Sequence, residues 1–145
     1  MSGTDAVNTL INQYLSAVSE IQAKANPLSG LFGFGSSPKD HPCHEQFIHD
    51  LKSCVDASVA EKCGEEEIEA IIHDVINAQS LVKKDSMAYW TLLAGHGAIR
   101  SLIPLVSKDK AASIAREYET ILRPRERMPL QEEILKELRK RGGLR

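Results

Sequence analysis

Apolar residues recur at helical rather than strand spacing along the whole chain. Val7, Ile11, Tyr14, Val18, Ile21 and Ala25 follow a 4-3-4-3-4 spacing, which predicts a helix over residues 4–25 with a seam made to pack lengthwise on another helix. Thr4 is its expected N-cap, and Asn26-Pro27 ends it. That seam suits a neighbouring helix of the same bundle, or a second copy of the chain. In the second helix Phe47, Leu51, Cys54, Val55 and Ser58 or Val59 trace a core face that His44 extends backward. Pro42 is the expected first helical residue, and Gly64 the expected left-handed stop.

Ile68, Ile71, Ile72, Val75 and Val82 predict a third buried stripe. Its helix begins in Glu65, Glu66, Glu67 and Glu69 and closes in Lys83 and Lys84, an order that complements the helix dipole at both ends. The most apolar stretch follows, from Asp85 to Val106. Tyr89, Leu92, Leu93, Ile99, Ile103 and Val106 fall on one side, His96 sits in the same series between Gly95 and Gly97, and the only tryptophan is Trp90. This is the expected central helix, capped by Asp85 or Ser86 and kinked or ended at Pro104. Ser107 caps a fifth helix with Ala111, Ile114, Ala115, Tyr118, Ile121 and Leu122 inward, and Arg123-Pro124-Arg125 breaks it. A sixth, amphipathic helix over 128–141 carries a narrow stripe of Leu130, Ile134 and Leu138 and stops at Gly142-Gly143.

The expected fold is therefore all-α, an antiparallel helical bundle of five to six helices with no sheet, in a single domain over residues 1–145. A long Gly/Ser/Pro/Phe loop, 26–42, separates the first two helices; its Phe32 and Phe34 either pin it to the bundle or offer a partner an apolar patch. The glycines at 30, 33 and 35 lack the preceding strand and the following Lys-Ser/Thr of a phosphate loop.

Composition supports this picture, with 42% hydrophobic, 26% charged and 5% aromatic residues, as in an ordinary globular chain. A net charge of −2 gives no general attraction to nucleic acid or anionic membrane. Eight Lys/Arg against four Asp/Glu lie from Arg123 onward, but no aromatics are interleaved for base stacking, so a solvated basic face is expected there. No apolar run reaches the ~18–20 residues of a membrane span. Three cysteines and no secretory leader point to reduced thiols in a cytoplasmic protein.

Candidate chemistry gathers at the start of the second helix. Cys43 in a first turn, beside His41 and His44, could be a thiol whose pKa the helix N-terminus lowers, and hence a reactive or redox-sensing group. His44-Glu45 with His49 is one residue too long for the zincin pattern, and Glu69 with His73 one too long for a di-metal bundle. His96 could look into the same space as His44, or be a satisfied core histidine. The leading expectation is a non-enzymatic interaction or regulatory module with no cofactor. It would meet a protein partner, or associate with itself, through the first-helix seam, Phe32 and Phe34, and the stripe of Leu130, Ile134 and Leu138. The rival is a thiol- or metal-dependent site at His41, Cys43 and His44, completed by His96.

Overall fold

The computed structural model describes residues 3–24, 42–84 and 86–144, with the side chains of 21–24 left aside. Among these, six α-helices and no strand are found, an all-α bundle as the spacing predicts. They are α1 (Gly3–Lys24), α2 (Cys43–Ala60), α3 (Glu65–Ala78), α4 (Met87–Gly95), α5 (Lys108–Ile121) and α6 (Pro129–Arg141). A short 3-10 turn, Gln79–Leu81, extends α3, and a ten-residue 3-10 helix, His96–Leu105, continues α4. No described helix is long and apolar enough to cross a membrane.

The α1 seam is consumed inside the molecule. Val7, Ile11, Tyr14 and Val18 are buried against α2 and α3, so these side chains are not a free partner surface. The α3 stripe is buried as expected at Ile68, Ile71, Ile72 and Val75, joined by Ile76. The continuous α4 and 3-10 segment is the hub of the bundle: its two parts pack on α2 and α3, and the 3-10 part also on α6.

Helix ends differ from expectation in five places. Thr4 lies inside α1, which begins at Gly3, and the α winding of the central helix ends at Gly95, well before Pro104. Pro42 precedes α2 as its cap, so Cys43 is the first helical residue. The left-handed residue after α2 is Lys62 (φ 52°), while Gly64 is extended (φ −67°, ψ 158°) and caps α3. Two residues between the cap of one helix and the cap of the next leave the turn to Lys62, although a side chain disfavours that conformation. Lys83 and Lys84 fall beyond α3 rather than in its last turn; Lys84 instead pairs with Glu126. The expected serine caps are present: Ser86 Oγ accepts from the Tyr89 N–H (3.1 Å) and Ser107 Oγ from the Lys110 N–H (3.3 Å). The acidic start of α3 also reaches α5, where Glu65 Oε1 accepts the Ser107 N–H (2.6 Å) and Glu69 pairs with Lys110 (2.5 Å).

At the other end of the chain, Gly142 packs against α5 so closely that a Cβ there would lie 2.7 Å from Ala112 Cα. Gly143 (φ 71°) then turns the chain, and the Leu144 N–H bonds the Arg139 carbonyl (2.8 Å).

Candidate functional site

The glycines around His96 explain how the hub is packed. A Cβ at Gly95 would meet Leu51 Cδ2 at 3.1 Å on α2, and one at Gly97 would meet Leu130 Cδ2 at 3.2 Å on α6. Gly95 and Gly97 thus admit neighbours on two sides, and His96 between them turns to a third. Its Nδ1 lies 3.1 Å from the Tyr118 hydroxyl of α5, the direction of that bond depending on the tautomer. The ring is fully buried, and its Nε2 has no completed hydrogen bond. Burial drives the imidazole pKa down to about 3, with the Val75 carbonyl of α3 opposing it weakly, so the ring is neutral at ordinary pH. Burial likewise pushes the Tyr118 phenol up.

His44 is also buried, and its partner is different. Its Nδ1 is 2.7 Å from the Tyr14 hydroxyl of α1, whose ring stacks on Phe47 at 4.5 Å between centroids. Burial pushes the Tyr14 phenol up to about 12; the nearby Thr91 hydroxyl opposes this and Cys43 adds to it. The structure therefore holds two separate histidine–tyrosine pairs, each tying two helices. Those pairs do not join His44 to His96 in one constellation.

Cys43 lies next to His44 and is half-buried. Its thiol is pushed up by burial, with the backbone only partly countering, which is opposite to the activation expected of a helix N-terminus. Cys54 and Cys63 are free thiols, also raised by burial. His41, Phe32 and Phe34 lie outside the described residues. No group of three or more metal-ligating side chains is found among those described.

No family model, curated protein or solved structure matches the chain.

The expected partner stripe on the last helix is internal. Ile134 and Leu138 are fully buried and Leu130 half-buried against Gly97, because α6 closes the core over the 3-10 helix and α5. Sequence reasoning passed over Gln131, which is buried in the same helix. Its Nε2 donates to the Leu93 carbonyl (2.7 Å) and its Oε1 accepts the Met128 N–H (3.1 Å), so one side chain fastens the start of α6 to the hub. The signal was present, since Gln131 stands at the third helical position, where a capping-box amide belongs.

Among the described residues the exposed large apolar side chains are Leu105 (44% exposed), at the end of the 3-10 helix, and a group of three elsewhere. Leu81 (63% exposed), Met87 (40%) and Trp90 (41%) stand on the 3-10 turn after α3 and the first turn of α4, two elements in mutual contact. Trp90 meets Tyr89 edge to face at 5.5 Å, and Tyr89 lies within electrostatic reach of Lys84. Lys84 is paired with Glu126, and Arg123 is near enough to act on its charge, so the edge of the patch carries a mixed cluster with basic groups in excess.

Proposed function

We propose that this protein is a non-enzymatic helical interaction module whose contact face is Leu81, Met87 and Trp90, and that its partner is a protein segment with apolar anchors and acidic flanks. The exposed tryptophan carries the reading. A helix half-exposing Trp90 and Met87 one turn apart presents large apolar anchors of the kind that dominate partner interfaces, whereas Tyr89 and Leu92 beside them are buried. Lys84 is already paired with Glu126, but with Lys83 beside it in the chain and Arg123 near it the local balance stays basic, which is what an acidic flank would meet. The buried histidines support the same reading, since each is committed to a tyrosine within the core. With three cysteines in the chain, a reducing cytoplasmic setting is the proposed home for such a module.

The test is a photo-cross-linking residue placed at position 90 in cells, with position 116 on the exposed side of α5 as control. A specific adduct at 90, competed by added wild-type protein and weakened by Lys84→Glu, is the expected result. Equal or absent labelling at both positions counts against the proposal. Light scattering on the purified protein distinguishes a second copy as the partner, because a Trp90-dependent dimer would replace the heterologous segment.

A further inference from the structure

The segment after Gly95 carries two apolar patterns at once. His96, Ile99 and Leu102 are spaced by three and all fully buried, which is the spacing a 3-10 helix stacks on one line. Leu92, His96, Ile99, Ile103 and Val106 are spaced 4-3-4-3, the stripe of an α-helix, and these too are buried. His96 and Ile99 belong to both. Ten residues is long for a 3-10 helix, which seldom exceeds about four.

We infer that residues 96–105 form a two-state element, 3-10 in the resting fold and able to rewind as α-helix, with Pro104 as the lock. The resting form is fastened at both ends. At the start, the Leu93 carbonyl receives the Gln131 amide from α6 in addition to the His96 N–H, where a continuing α-helix would give it the Gly97 N–H. At the end, Pro104 has no N–H for the Arg100 carbonyl and its ring crowds that carbonyl in an α winding. Between them, Gly97 leaves the backbone conformationally permissive.

Rewinding changes the geometry at the far end. A 3-10 helix rises about 2.0 Å per residue and an α-helix about 1.5 Å, so ten residues shorten by about 5 Å. Leu105 moves most. It now walls a cavity of about 220 Å³ with Ser58, Val59, Cys63 and Ile68. The α form withdraws Leu105 from that wall and opens Cys63, whereas Cys54 in the body of α2 keeps its surroundings.

The experiment is Pro104→Ala, a change at an exposed position, in the full chain. NMR should show αN(i,i+4) contacts replacing αN(i,i+2) contacts between residues 97 and 105. N-ethylmaleimide labelling followed by mass spectrometry should be at least several-fold faster at Cys63 with Cys54 unchanged. In the wild-type protein, relaxation dispersion should cluster in residues 96–106. Retention of the i,i+2 pattern in the variant with unaltered Cys63 labelling would overturn the inference, as would flat dispersion across this segment in the wild type.

Discussion

Replacing His96 and Tyr118 together should cost far less than the two replacements made singly. In Tyr118→Phe the fully buried ring of His96 loses the partner of Nδ1 and keeps only the neighbouring Val75 carbonyl. In His96→Leu the Tyr118 hydroxyl is orphaned in the core instead. Leaving a buried polar group unpaired costs about 1–3 kcal/mol, whereas replacing both partners with apolar groups of similar shape is close to neutral. Each single variant should therefore lose about 1–3 kcal/mol, and the double variant less than their sum by at least about 1 kcal/mol.

The pH dependence supplies an independent arm. The folded pKa of His96 is lowered to about 3 from an ordinary 6.5. Below pH 6.5 the unfolded chain binds a proton that the folded chain refuses, so this group's contribution to stability falls as pH falls. One proton corresponds to about 1.4 kcal/mol per pH unit, approached once the pH is well below 6.5 and continuing toward pH 3. Urea unfolding followed by circular dichroism at pH 7.5, 6 and 5 measures both arms. The double variant should lose about one proton's slope relative to wild type, because the Tyr118 phenol, raised by burial, stays protonated over this range and the remaining titrating groups are common to the two. Strict additivity of the single changes, or parallel pH profiles for wild type and double variant, would refute the reasoning.

Other expectations are simpler to check. Gly142→Ala drives a methyl into the Ala112 backbone and should destabilise by about 1–3 kcal/mol in urea melts. Ser86→Ala and Ser107→Ala each remove a side-chain cap and should each cost about 1 kcal/mol, with the double variant additive. Lys62→Gly relieves a left-handed side chain and should raise the thermal midpoint rather than lower it. Alkylation of Cys43 should show a midpoint above that of a cysteine in an unfolded peptide, because burial raises it; a midpoint below that reference would restore the thiol-chemistry reading.

Much of the fold was legible because its signals are local. The 4-3-4-3 stripe of α1, the helical stripe of α3 and the serine caps at 86 and 107 depend on neighbours within a few residues. The 3-10 continuation was not legible, since residues 96–106 satisfy threefold and 3.6-fold spacing alike, and only packing chooses between them. The same limit applies to the histidines. That His44 and His96 are core residues follows from their place on apolar stripes, but that each answers a different tyrosine is a tertiary fact with no trace in spacing. Lys62 and Gly64 show a local rule giving way: the short link needed an extended residue at 64 to start α3, and the left-handed turn fell to its lysine neighbour. Trp90 sat in the most apolar run of the chain yet points outward, because a nine-residue helix held on two sides still leaves one face open.

Gly95 and Gly97 touch Leu51 and Leu130, which lie about eighty positions apart in the chain. One turn of backbone is therefore the meeting point of early and late sequence, and synthesis order matters to it. A nascent chain that has emerged as far as α5 has made its hub but lacks the helix that covers the Leu130 side, and must wait with apolar surface uncovered until α6 clears the ribosome. Premature termination anywhere before α6 should yield a product for chaperones and proteases rather than a smaller working protein.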